Sequence, residues 1–283
     1  MQVLLTNDDG IDATGIHVLA EALAATAEVT VVAPAEDQSA VGRTLSSTVA
    51  VEERDSRGSY AEYAVSGTPA DCTVAGLYSL CPDTDLVVAG CNRGANLSAY
   101  TLGRSGTVSA AVEATFFDVP AMAVSLYIPG NREFETLATA PEAYAEAARA
   151  TTYLAEHTDG DGVFEQADYL NVNAPLPEEV TDRKASEGGD ETPKATGGAS
   201  ESRASMVVTH PSRVCDMDAV REGDSITIHD RIWDRMADDD VPDDAGSDRR
   251  TVMDGDVSVS PLTAPHTTER HDALDALADA YRA

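Results

Sequence analysis

The chain has 283 residues, 42% of them apolar, with 50 acidic against 19 basic side chains and a formal net charge of −31. That length and apolar content suffice for a sizeable core without disulfide staples and exclude wholesale disorder. So acidic a surface repels nucleic acid, which excludes duplex binding, and no run of about 18 apolar residues is present to span a membrane.

Lysine is almost absent, occurring only at Lys184 and Lys194. The balance is that of a folded protein from a high-salt cytoplasm, where screening over a few ångströms removes the self-repulsion. Structure or activity is then expected to fail when salt is withdrawn. Met1 leads straight into a strand-like run with no basic leader, so a cytoplasmic location is expected. Cys72, Cys81, Cys91 and Cys215 form no C-x-x-C pair and read as small buried apolar side chains in a reducing compartment.

In chain order, QVLLT (2–6) reads as a strand, 15–25 as a helix, VTVVA (29–33) as a strand and 69–80 as a helix. DLVVAG (85–90) follows as a strand, 106–117 as a helix, AMAVSL (121–126) as a strand, 140–156 as a helix and YLNVNA (169–174) as a strand. Short, nearly continuous apolar runs suit strands buried on both faces, and alternation with helices implies an α/β, doubly wound, mostly parallel sheet. Ligands of such sheets bind at the carboxyl ends of the strands. Residues 178–204 are polar and glycine-rich and read as a linker. Three β-like pieces follow at 205–210, 224–230 and 256–262, with 234–250 read as a solvated acidic loop. Leu274, Leu277 and Tyr281 recur at helical spacing near the end, with Thr268 as a cap. The organisation is therefore a core over 1–180 and, over 181–283, a linker, a β-rich extension and a C-terminal helix. That tail is too small for a core of its own and must pack on the main domain or on another subunit.

Asp8 and Asp9 stand where the first strand ends. Adjacent carboxylates in a tight site repel, and a divalent cation is the simplest remedy. The alternative is a plain turn, for which Asn-Asp-Asp-Gly is good chemistry. Ser39 follows the second strand, and Asn92 and Asn96 follow the third. Asp8, Asp9, Ser39 and Asn92 together offer only oxygen ligands, which favour Mg²⁺ or Mn²⁺ over zinc. Ser105, Gly106 and Thr107 open an alanine-rich helix, where free N–H groups form an anion site. Ser105 serves equally well as an ordinary N-cap. In SGTPADC (66–72), Thr68, Pro69 and Asp71 fit a capped helix start with a structural role.

The segments LLTNDDGIDATGI, VVAPAEDQSAVGRTLS, VSGTPADC, DLVVAGCNRGAN and SGTVSAAVEATFFDVPAMAVS, in this order, resemble the SurE survival-protein family, and LNVNAP and GDVSVSPL extend the likeness to about residue 265. The resemblance implies a metal-dependent phosphomonoester hydrolase acting on nucleoside 5′- and 3′-monophosphates, some members also acting on short polyphosphate. It places one divalent metal ion per subunit on Asp8, Asp9, Ser39 and Asn92, and phosphate contacts on Asn96, Ser105, Gly106 and Thr107. Asp8 is the candidate to orient or deprotonate the attacking water, and Asp9 chiefly to hold the metal. A Rossmann-like core and a C-terminal β-hairpin and helix arm exchanged within a homodimer or tetramer are also implied. Ala40 stands where the family usually has Gly, and Gly42 where Ser is frequent. A non-catalytic nucleotide or phosphate sensor would use the same pocket and is the competing reading.

Overall fold

A computed structural model describes residues 1–129, 138–158, 161–177 and 203–264. The strands in chain order are β1 (Gln2–Thr6), β2 (Glu28–Pro34), β3 (Val51–Arg54), β4 (Ala61–Val65), β5 (Leu86–Arg93), β6 (Ala121–Tyr127), β7 (Tyr169–Pro175), β8 (Met206–Val208), β9 (Met217–Glu222), β10 (Ser225–Asp230) and β11 (Val257–Leu262). Nine of them form one sheet in the order β3-β4-β2-β1-β5-β6-β7-β11-β8, and β9 pairs with β10 as a separate antiparallel hairpin. The six strands from β4 to β7 run parallel. Only β3 and β11 run antiparallel to their inner neighbours. The chain builds outward from β1 through β2 and β4, then returns to the far side of β1 with β5, β6 and β7. The order therefore reverses between β1 and β5, where a doubly wound sheet opens its ligand crevice.

The period-two alternation of β1 divides the core. Val3 and Leu5 face the helices α1 (Thr14–Leu23) and α5 (Ala145–His157), whereas Leu4 faces α2 (Pro69–Ala75) and α4 (Gly106–Thr115). In α1 the buried Ile16, Leu19, Ala20 and Leu23 fall at positions i, i+3, i+4 and i+7, one apolar stripe. The start of α2 is capped as its sequence requires. Thr68 accepts from the Asp71 N–H, and Asp71 accepts the Thr68 N–H at 2.9 Å. The helix expected over 69–80 ends at Ala75 and widens into a π-helical turn over Gly76–Leu80. Two single-turn helices, α3 (Ala99–Leu102) and α6 (Val163–Gln166), complete this part. Among the described residues no helix is long and apolar enough to cross a membrane.

The structure departs from the sequence reading in three places. The strands β3, β4 and β9 were not anticipated, because each is short and carries charged residues between its apolar ones. Glu52, Glu53 and Arg54 make β3 a charged edge, which discourages pairing with other chains. The second departure is the acidic segment read as a solvated loop, which instead holds α7 (Ile232–Ala237) and α8 (Asp248–Met253). Ile232, Met236, Val241 and Val252 pack there against Leu97 and Tyr127. Arg249 is 1% exposed, and its guanidinium donates to Asp243 Oδ2 at 2.8 Å and to the Val214 carbonyl at 3.0 Å. Asp248 is fully buried and accepts the N–H groups of Ser98 at 2.7 Å and Ser212 at 2.9 Å. Tertiary partners turn these charges from surface groups into core groups. Third, Cys72, Cys81 and Cys91 are buried free thiols, but Cys215 is exposed. The expected linker up to residue 202 and the tail with Thr268, Leu274, Leu277 and Tyr281 lie outside the described residues.

Candidate active site

Past β1 the chain makes a tight turn. Asn7 Nδ2 donates to the Gly10 carbonyl at 2.8 Å, and Gly10 takes a φ of +94°, which a side chain would disfavour. The turn holds Asp8 at 3% exposure against the start of α4. Gly106 permits that approach, since a Cβ there would lie 2.7 Å from the Asp8 Cβ. The Thr107 hydroxyl donates to Asp8 Oδ1 in a short hydrogen bond. The anion that meets this helix start is thus the carboxylate of Asp8. Ser105 acts as the N-cap, its hydroxyl accepting the Val108 N–H at 3.1 Å.

Across the crevice, β5 continues to Arg93, three residues beyond the expected end, with a shift of register against β6 between Ala89 and Asn92. Such bulges re-aim side chains. The Arg93 N–H donates to Asp9 Oδ2 at 2.8 Å and closes the gap between β1 and β5. The Asn92 amide nitrogen donates to the Gly94 carbonyl, which leaves its own carbonyl oxygen as a ligand atom. Asn96 is pinned to β7 and β6. Its N–H donates to Asn173 Oδ1 at 2.9 Å, its carbonyl accepts Asn171 Nδ2 at 2.9 Å, and its own amide donates to Ser125 Oγ at 2.9 Å. On the other side, the Gln38 N–H donates to the Asp8 carbonyl at 2.7 Å and draws the loop bearing Ser39 to the same edge. Ala40 in that loop has a φ of +60°, the left-handed region that glycine favours, so the departure from the family pattern falls on a position suited to glycine.

These elements enclose a cavity of about 490 Å³. Asp8, Ser39, Asn92, Asn96 and Ser105 line it. Asp9, Gly106 and Thr107 are not part of its wall, although Thr107 and Gly106 both touch Asp8. Sequence reasoning missed four other lining residues: Arg93, Arg104, Asp230 and Trp233. Arg104 lies over the Tyr100 ring at 3.8 Å, a cation–π contact that fixes its position. Two arginines at one crevice of so acidic a chain were a signal available in the motifs CNRGAN and LGRSG. Nothing local marked Trp233, which enters from α7 just ahead of the segment read as a loop.

Burial raises the pKa of Asp8 above the ordinary carboxylate value, and the Thr107 hydroxyl and N–H oppose that rise. Burial, and then the neighbouring charge of Asp8, push Asp9 up to about 7 against the pull of the Arg93 N–H. Two adjacent buried acids are thus held where their ionised forms are penalised. Among the described residues no cluster of three or more His, Cys, Asp or Glu side chains is present, so a metal here would draw on neutral oxygens as well. Ser39 and Asn92 supply such oxygens. The donor set fits a hard divalent cation, whose charge would relieve the penalty on both carboxylates.

A mostly parallel sheet between two helical layers, with its polar crevice at the reversal of strand order, defines a doubly wound, Rossmann-like α/β protein. The fold is similar to the crystal structure of the SurE protein from Aquifex aeolicus, with a TM-score of 0.68 and 26% identity, covering 99% of this chain and 100% of that one. The family model for survival protein SurE matches residues 3–194. The 5'-nucleotidase SurE of Haloquadratum walsbyi is 57% identical over 284 residues, covering 99% of this chain and 97% of the relative. That of Haloarcula marismortui is 58% identical over 281 residues, covering 99% and 94%. The chain belongs to the SurE family, and its acidic composition fits these haloarchaeal relatives.

Proposed function

We propose that this protein is a metal-dependent 5′-nucleotidase that removes phosphate from nucleoside monophosphates, including 3′-monophosphates. The observation that carries the reading is that Asp8, with Asp9 beside it in the chain, meets the neutral oxygens of Ser39 and Asn92 and the Ser105 cap at one cavity, in a chain 57% identical to a relative named 5'-nucleotidase SurE. Asp8, Asp9, Ser39 and Asn92 would hold one Mg²⁺ or Mn²⁺ ion. When bound, it supplies charge neutralisation at the phosphoryl group and lowers the pKa of a bound water.

The chain's own groups do the rest. Asp8, at the cavity wall, orients the attacking water and takes its proton. The Thr107 hydroxyl keeps Asp8 in position. Asn96 and Ser105, which line the cavity, would receive phosphoryl oxygens, and the expected contacts of Gly106 and Thr107 would require phosphate to share the helix start that Asp8 meets. Arg104 adds positive charge at the same wall. We further propose a cytoplasmic homodimer or tetramer joined through the hairpin and the C-terminal arm, a reading supported by the exposed apolar residues Ile226 and Ile228 on β10.

The decisive measurement is phosphate release from a panel of nucleotides in molar KCl with Mn²⁺ or Mg²⁺, repeated with EDTA. Release that EDTA stops is expected. Tight AMP binding with no release under any metal would instead identify a phosphate or nucleotide sensor.

A further inference from the structure

The reading above leaves several residues of the cavity unused. Trp233, the single tryptophan of the chain, lines the cavity together with Ile128 and Asp230. Trp233 is half-buried and packs against the apolar cluster of Leu97, Tyr127, Ile232 and Met236. Its indole therefore sits on a supported surface, with part of the ring left at the cavity. A large aromatic fixed from behind and open in front is a stacking platform, since every nucleobase presents a π face. Asp230 beside it uses one carboxylate oxygen to accept the Ile232 N–H at 3.2 Å. The carboxylate keeps acceptor capacity for the amino or ring N–H edge of a base. A volume of about 490 Å³ exceeds what a phosphate needs and falls in the range of pockets that enclose small organic ligands.

We propose that Trp233, with Ile128 and Asp230, forms the nucleobase subsite, so that the base stacks on the indole while the phosphate meets the groups around Asp8. This rests on the nucleotidase reading and adds the group that separates nucleotides from other phosphomonoesters. Trp233 and Asp230 come from α7 and the end of β10, on the far side of the polar linker from the acid pair, and Ile128 follows β6. The polar and aromatic groups for the base thus lie on a different part of the chain from the acid pair.

The test uses the full chain in molar KCl. With EDTA present to stop turnover, AMP, ribose 5-phosphate and inorganic phosphate are titrated against the intrinsic fluorescence of Trp233. Saturable quenching by AMP, with little change from the two baseless ligands, is expected. With Mn²⁺, Trp233→Leu should lower the ratio of kcat/KM for AMP to that for ribose 5-phosphate about tenfold, chiefly through KM, the loss typical of one stacked aromatic. Trp233→Phe should restore most of that ratio. AMP hydrolysis with silent tryptophan emission, or an unchanged ratio in Trp233→Leu, would overturn the subsite. Quenching by AMP with no phosphate released from either substrate would uphold the subsite and refute the hydrolase reading instead.

Discussion

The aspartates at the crevice and those beneath the C-terminal helices are drawn out of solvent with different partners. Beneath the C-terminal helices, Asp243 pairs with the Arg249 guanidinium and Asp248 accepts the N–H groups of Ser98 and Ser212, although burial still raises the pKa of Asp248. At the crevice, Asp8 and Asp9 are adjacent and under-compensated, and Asp9 is pushed up to about 7. The first arrangement is closed and holds the extension against the loop that carries Asn96. The second is open on a cavity and is completed by something outside the chain. A buried charge tied to an arginine or to backbone N–H groups inside closed packing is architecture, whereas a carboxylate that opens on a cavity beside a second carboxylate marks where a ligand belongs.

That contrast can be broken most sharply at Asp9. Asp9→Asn should remove metal-dependent turnover by more than the ~10–100-fold typical of residues that only support a ligand. It should leave the Tm in EDTA unchanged or higher, because a like charge disappears from beside Asp8. Normal phosphate release by the variant, or a large fall in Tm, would remove the distinction. Arg249→Met should do the reverse and destabilise by about 3–5 kcal/mol, since Asp243 is left buried without its partner. Adding Asp243→Leu should recover much of this loss in chemical unfolding, because an apolar pair has no charge to strand.

Metal comes next in size. Mn²⁺ at a hundred times its Kd should stabilise the wild type by about 2.7 kcal/mol and raise its Tm, with no such gain in Asp9→Asn. An equal gain in both proteins would mean that the cation binds elsewhere.

The smallest expected effect concerns Asp71, a buried acid away from both regions. Burial alone would raise its pKa, but hydrogen bonds from Ser46 and Thr68 outweigh burial and hold it below the ordinary value. A depressed folded pKa contributes stability that is complete above about pH 4 and is lost as pH falls through the folded value. Ser46→Ala should therefore cost about 1 kcal/mol at pH 7 and much less near pH 2. Equal losses at both pH values would show that the serine acts through packing alone.

What the sequence determined by itself was whatever depends on neighbours along the chain. Short, nearly continuous apolar runs specified β1, β2, β5, β6 and β7. The Thr68–Asp71 capping box specified the start of α2, and the Asn-Asp-Asp-Gly turn and the Ser105 cap marked the strand and helix ends that meet at the crevice. Only the tertiary structure decided which ends meet which. It placed the Arg93 N–H on Asp9, turned the start of α4 onto Asp8, and brought Trp233 to a cavity opened by residues more than 100 positions earlier. It also made core groups of Arg249 and Asp248, which no local pattern distinguishes from the other charges of an acidic loop. The reason is physical: propensity and periodicity act over a turn or a strand, whereas the burial of a charge depends on partners that the chain supplies only after it has folded.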